Sequence, residues 1–434
     1  MASTGSPGFW CSIIDIDIGA RRGCRYILWD MFARPLAYVR QFESNLWILC
    51  IGWFVGALGF AAAIPFLSIY FHDHLKMSVT EIGLFFGAMA VVRAGFQLVG
   101  GEVSDRMSRK TLLVYAQILR AVSFVLLGLA IDYDMGFWPI AIFMTMNSTF
   151  GAIYFPAQHA LVSDILTRAQ RLDGYALTRS AGNLGWAAGP AIGGFMAHSS
   201  YAGLFYIAAA ILFTSGLIFL FWFRAPNQVQ RREEFTIADL VALKNDRRLT
   251  IHCLLSLALY LVVAQLMAPF SVYAVQVTGL SEIQLGYLYT VNGLLVGLAQ
   301  IMVTRMLGNT RFTSQLALGA VFYFIGYGVL GFSTHYAFMI GAIAVVTSGE
   351  MIMSPPTLTL TSRLAPPDQI GRYMGIYTFF MTLGWSLGPL YGGWFLDSFA
   401  GNYVLAWIMI ASLALVASVG FLWFGRRLDP SLNR

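Results

Sequence analysis

Few residues in this chain carry reactive groups, and those that do stand out against apolar neighbours. Glu350 lies inside a long hydrophobic stretch, with Thr347, Ser354, Thr357 and Thr361 beside it at helical spacing. An acid flanked by hydroxyls on one helix face, in a segment otherwise suited to hydrocarbon, is costly and therefore a functional candidate. Exchange of a proton is the chemistry such a group supports. Arg93 and Arg120 are read as the other embedded charges. They neutralise Glu350, pair with each other's polar neighbours Gln97 and Gln117, or attract an anionic group of a solute. His159 offers a proton relay or an interior hydrogen-bonded imidazole. Trp53 and Phe60 in the first apolar stretch, Asn147 and Ser148 in the fourth, Tyr260 and Gln265 in the seventh, and Met351 and Met353 beside Glu350 make a mixture suited to a bulky amphipathic ligand. No nucleophile–base arrangement or phosphate-binding loop occurs. Cys11, Cys24, Cys50 and Cys253 lack metal-ligand spacing. The reading is therefore of a non-enzyme with no cofactor and no metal.

The elements that hold these residues are set by composition. Of 434 residues, 58% are hydrophobic and 11% charged, against roughly 25% charged in a soluble domain. Twelve apolar stretches of roughly 20 residues run from 45–70 to 402–425, each long enough to cross the hydrocarbon core as a helix. Arg106, Arg109, Lys110, Arg224, Arg231, Arg232, Arg426 and Arg427 fall in alternate gaps and at the ends, while the opposite gaps hold Lys76 beside Asp73, Asp132, Asp134 and Asp397. That asymmetry places both termini in the cytoplasm. The net charge of +6 thus marks a membrane face, and no nucleic-acid partner is expected. Five regions follow: a tail over 1–44 with an interfacial amphipathic helix between Arg25 and Phe42, six spans over 45–223, a polar linker over 224–248, six spans over 249–425, and a tail over 426–434.

The halves repeat one another. With a constant offset and no gap, Pro156 matches Pro355, Gly185-Trp186 matches Gly384-Trp385, Gly189-Pro190 matches Gly388-Pro389, and Gly193-Gly194 matches Gly392-Gly393. Pro65 and Pro269 echo each other near the ends of spans 1 and 7. Tandem six-helix halves are a transporter architecture, with the solute path between them.

Two motifs carry a resemblance. Between spans 2 and 3 the chain reads Gly101-Glu102-Val103-Ser104-Asp105-Arg106-Met107-Ser108-Arg109-Lys110. This resembles the loop signature of the major facilitator superfamily, with Ser108 in place of the usual second glycine. The resemblance implies a conformational latch formed by Gly101, Asp105, Arg106, Arg109 and Lys110, with Asp164 ending span 4 and Arg372 beginning span 11 as partners. The equivalent loop of the second half, Met306 to Arg311, lacks the acid. In span 5, Gly185, Gly189, Pro190, Gly193 and Gly194 resemble the GxxxGPxxGG stretch of antiporters in that superfamily, Pro190 being expected to bend the helix. Over residues 45–425 the chain is similar to twelve-span drug:proton antiporters. That similarity implies an all-α integral membrane fold of twelve transmembrane helices in two pseudo-symmetric six-helix bundles. It further implies a monomer in the cell membrane, surrounded by lipids, that exports a lipophilic or amphipathic small molecule by alternating access with protons as counter-ion. Span 1 lacks the acid common in such exporters, so Glu350 is the local support for coupling. Translocation of a lipid or lysolipid, import of a small organic anion, and a transporter-like sensor are the competing readings.

Overall fold

The structure is a computed structural model that describes residues 42–106, 108–166, 170–224, 246–308, 310–333, 335–366 and 369–433. The N-terminal tail before residue 42 and most of the linker lie outside the described residues. Residues 48–434 form one compact unit. Of the preceding unit, the described part is 42–47, where Phe42 and Trp47 meet edge to edge.

Twelve long helices run through the described residues. They are α1 (Ser44–Asp73), α2 (Val79–Arg106), α3 (Arg109–Asp132), α4 (Phe137–Ile165), α5 (Arg171–Ser199) and α6 (Tyr201–Phe221) in the first half. The second half has α7 (Arg247–Val277, in several segments), α8 (Glu282–Leu307), α9 (Phe312–Phe332), α10 (Tyr336–Leu364), α11 (Ile370–Ser398) and α12 (Tyr403–Arg427). Seven of them are apolar enough along their length to cross a membrane on composition alone; the others are α2, α4, α5, α8 and α11. Four of those five make the most extensive contacts between halves, α5 with α8 and α2 with α11. A face that meets protein instead of lipid has no need to be uniformly apolar. The helix ends carrying Arg109, Arg247, Arg305 and Arg426 form a basic end, and those carrying Asp73, Asp132, Glu282 and Asp397 an acidic end.

Glycine decides how closely these helices approach. A Cβ on Gly185 would strike the carbonyl of Phe54, one on Gly189 that of Leu58, and one on Gly193 that of Ala62. Donor and acceptor helices thus advance together, four residues at a time, along the α1/α5 seam. The second half repeats the ladder, with Gly384 on Leu257, Gly388 on Leu261 and Gly392 on the Gln265 side chain. The second glycine of each pair reaches across to the opposite half. Gly194 lies on the Glu282 carbonyl of α8, and Gly393 on the Val79 carbonyl of α2. Gly286 on the Pro190 carbonyl and Gly83 on the Pro389 carbonyl complete the exchange. The small-residue stripe read from sequence is therefore a two-sided joint. α5 runs unbroken through Pro190.

Among the described residues the joint closes one end only. At the acidic end Asp397 accepts from the Val79 and Thr80 amides at 3.2 and 2.7 Å, capping α2 from the other half. Gln276 donates to Asp73 at 2.6 Å. His198 lies 3.4 Å from Glu282, to which Tyr201 also donates. Towards the basic end the contact is lost: Val91, one turn beyond Gly87, is 70% exposed, and Gly297, one turn beyond Gly293, has no atom within 4 Å of a built Cβ.

Interior prolines free backbone carbonyls, and in α7 and α10 these find side-chain partners. In α7, broken before Pro269, Tyr289 bonds the carbonyls of Leu266 and Met267 while Tyr327 donates to that of Val263. In α10, Pro355 cannot donate to Met351, whose carbonyl accepts from Gln300 Nε2 at 3.0 Å.

The ladder is testable. Gly189→Val, which meets backbone atoms of Leu58 and Ala62, is expected to destabilise the purified protein by about 2 kcal/mol. Gly297→Ala is expected to change stability by less than about 0.5 kcal/mol. Equal melting profiles for the two variants would show that close approach at Gly189 is no constraint.

Candidate functional site

Glu350 sits near the middle of α10, partly buried, in the second half. Its carboxylate Oε2 accepts from Asn292 Nδ2 on α8 at 3.1 Å, and the same amide nitrogen donates to Thr347 Oγ1 at 2.9 Å. The expected hydroxyl stripe exists, but each hydroxyl is spent on its own helix. Thr347 donates to Ile343, Ser354 to Glu350, Thr357 to Met353 and Thr361 to Thr357, all carbonyls four residues back. Tyr260 of α7 is buried and receives a hydrogen bond from Tyr377 at 3.2 Å. Across the gap, Arg179 of α5 is exposed and lies within electrostatic reach of Glu350 and Tyr260.

Arg120 does not pair with Glu350. It is buried in the first half, where Nη1 donates to Gln117 Oε1 at 2.9 Å. Gln117 donates to Ser215, and Ser215 to the Gly52 carbonyl, at 2.9 and 2.8 Å. The guanidinium stands over the rings of Phe60 and Tyr154, 5.1 and 5.8 Å from their centroids. Arg93 of α2 is partly buried and within electrostatic reach of Arg120. Both arginines stand on helices of the first half and the acid on a helix of the second.

Two other candidates are turned away from any path. Asn147, fully buried, donates to the Arg120 carbonyl at 3.0 Å and ties α4 to α3. Gln265, also fully buried, donates to the carbonyls of Leu261 and Gly388 at 2.6 and 2.8 Å, filling the notch that Gly392 leaves in α11. Both act as interhelical clamps through their amide nitrogens, which donate to backbone carbonyls of a neighbouring helix. His159 lies on α4, and its side chain is outside the described residues.

Around the basic end, Gly101, Asp105 and Arg106 lie on the last turns of α2, their side chains likewise outside the description. Arg109, the first residue of α3, forms an ion pair with Asp164 near the end of α4, both side chains almost wholly buried. Lys110 follows it, partly buried. Arg372 is partly buried at the start of α11, and its neighbour Tyr373 donates to Asp246 at 2.7 Å, the residue that caps α7.

A family model described as "Major Facilitator Superfamily" matches residues 49–389 and 316–434. The chain belongs to the major facilitator superfamily. Among superfamily relatives it is 27% identical over 380 residues to the uncharacterized MFS-type transporter YttB of Bacillus subtilis (strain 168), covering 86% of this chain and 93% of that one. It is 23% identical over 394 residues to the multidrug resistance protein MdtH of Yersinia enterocolitica, covering 89% and 96%. A bacterial homologue of the human lysosomal transporter Spinster, solved in an inward-facing, unoccupied conformation, has the same fold, with a TM-score of 0.73, 12% identity and coverage of 89% and 98%. As a superfamily member the protein is a multi-pass membrane transporter and not an enzyme.

Sequence reasoning overlooked three residues of this superfamily core. Arg179 was legible as a charge well inside span 5. Asn292 was an amide near the middle of apolar span 8. His252 of α7, wholly buried, meets Thr361 Oγ1 at 3.0 Å and stacks on Tyr377; an imidazole inside span 7 was its signal.

The Arg109–Asp164 pair yields a prediction. Asp164→Ala strands a buried guanidinium and is expected to cost about 3–5 kcal/mol. Replacing both partners, Arg109→Met with Asp164→Leu, should recover most of that loss in thermal unfolding of the purified protein. A single mutant as stable as the wild type would show that the pair contributes nothing.

Proposed function

We propose that this protein is a secondary transporter that exports lipophilic or amphipathic small molecules across the cell membrane by alternating access, with protons as counter-ion. The positive-inside asymmetry supports placing the basic end in the cytoplasm. On that reading, halves joined at the acidic end and parted at the basic end form a pathway open to the cytoplasm, the loading state of an exporter. The relation to proteins named for multidrug resistance supports efflux.

The observation that carries the reading is the placement of Glu350 in the gap, bonded by Asn292 of its own half and attracted by Arg179 of the other. As a carboxylate, Glu350 draws the two walls together; as a neutral acid it releases Arg179. With one partner exposed to solvent, such an attraction is worth on the order of 1 kcal/mol. A bias of that order shifts a two-state equilibrium several-fold. Gain or loss of one proton therefore changes how strongly the halves favour closure, which is what coupling requires. In this scheme the Asp105 region on α2 and the Arg109–Asp164 pair act on the conformational equilibrium and not on the solute.

Glu350→Gln retains an acceptor for Asn292 and removes the charge. In proteoliposomes it is expected to lower flux driven by a pH gradient by at least ~10-fold while the purified variant elutes and melts like wild type. Undiminished proton-driven flux in this variant would remove Glu350 from the coupling role.

A further inference from the structure

Charges within the bilayer are sorted by half. More than about a turn from a helix end, the described first half carries Arg93, Arg120 and Arg179 and no acid, whereas the described second half carries Glu350 and no lysine or arginine. A pathway between such walls is polarised, positive on one side and negative on the other. Low dielectric on both sides lengthens the reach of these fields.

The positive wall has a definite construction. Arg179 and Trp186 are seven residues apart on α5 and share a helix face. Trp186 is 40% exposed and meets Phe60 of α1 edge to face, ring centroids 6.1 Å apart. Phe60 in turn covers the Arg120 guanidinium. Arg120 keeps its charge at any physiological pH, its Nε has no hydrogen-bond partner among the described residues, and no acid among them bonds it. Gln158 lies along the α4 face that presents Asn147, Gly151 and Tyr154 to Arg120, fully buried and with both amide atoms unbonded among the described residues. The first-half wall is thus an apolar aromatic surface backed by uncompensated positive charge. On the facing wall, Glu350 is the acid and Tyr260 a buried phenol beside it.

We propose that the transported molecules are zwitterionic amphiphiles, with an ammonium-type group held by Glu350, a carboxylate-type group held by Arg179, and an apolar body on Phe60 and Trp186. This rests on the transport reading above and names its substrate class. A simple cation meets the guanidinium groups of Arg179 and Arg120 on one wall, and a simple anion meets the carboxylate on the other. A molecule that bears both charges satisfies each wall. It also accounts for exchange with protons, because the ammonium group and the proton compete for Glu350, while the carboxylate takes over the attraction that Glu350 otherwise exerts on Arg179.

Three probes of one shape test this: L-2-naphthylalanine as zwitterion, its methyl ester as cation, and its N-acetyl derivative as anion. Binding to the purified full-length protein is measured by titration calorimetry without any gradient. The zwitterion is expected to bind at least ~10-fold more tightly than either analogue. Arg179→Gln should bring the zwitterion down to the level of the ester, and Glu350→Gln to the level of the N-acetyl form. Arg179 is exposed, so its variant is expected to elute and melt like wild type, which separates lost recognition from lost folding. An ester that binds as tightly as the zwitterion, unchanged ratios in Arg179→Gln, or no zwitterion binding at millimolar concentration would overturn the proposal. Failure of proton-driven flux in proteoliposomes would count against the export reading and leave the binding ratios standing.

Discussion

The contact between glycine and carbonyl governs this structure. In a bilayer, apolar side chains gain nothing by leaving lipid for protein, so helices associate only where they pack better against each other than against acyl chains. Removing Cβ lets two backbones approach until dispersion contacts become dense and direct. Gly185, Gly189 and Gly193 do this for α1 and α5, and Gly384, Gly388 and Gly392 do it for α7 and α11. Gly194 and Gly393 extend the same contact across the halves. Because one glycine of each pair faces inward and the next faces its counterpart, the rigidity of each half and the joint between halves arise from the same four-residue register. The halves touch where this register continues and separate where it ends.

Irregular backbone is confined to places where a polar side chain can complete it. Pro65 in α1 and Pro269 in α7 occupy related positions, yet α1 is continuous and α7 is segmented. The difference is what surrounds the break. Tyr289 and Tyr327 supply hydroxyls to the carbonyls around α7, as Gln300 supplies an amide to α10 beside Pro355. In hydrocarbon an unpaired carbonyl is expensive, so a broken helix persists only with such partners at hand. The half that contains the acid is therefore also the half whose helices depart most from regularity, a common property of ion and substrate sites in membrane transporters.

Much of this was legible in the sequence, and the limit has a physical origin. Hydropathy and the gapless repeat convey twelve spans in two halves because both depend on local composition. Gly185 to Gly194 stood out for the same reason, although their division between partners did not, since one residue of offset turns a glycine from one neighbour to another. Glu350 was visible as a lone acid. Its donor Asn292 and its opposite charge Arg179 were not found, because which helix stands beside which is a tertiary fact. Gln265 illustrates the converse error. An amide in span 7 looks like a ligand contact until Gly392 is seen to open a notch for it. The charged loop was recognised as a motif, and the ion pair between Arg109 and Asp164 shows that part of its charge is structural.

Pseudo-symmetry in the frame coexists with divergence in the charges it carries. At one interface Asp397 of α11 caps the start of α2. At the related interface the acid is on the other partner, for Glu282 opens α8 and faces His198 at the end of α5. The geometry is kept while the carboxylate changes sides, because a helix N-terminus accepts negative charge equally well from its own first turn or from a neighbour. The same freedom holds deeper in the membrane, where the first half has accumulated arginines and the second a single acid. A duplicated scaffold needs symmetry only where backbones meet. Elsewhere each half can carry a different charge, and that difference lets two similar bundles present unlike walls to one solute.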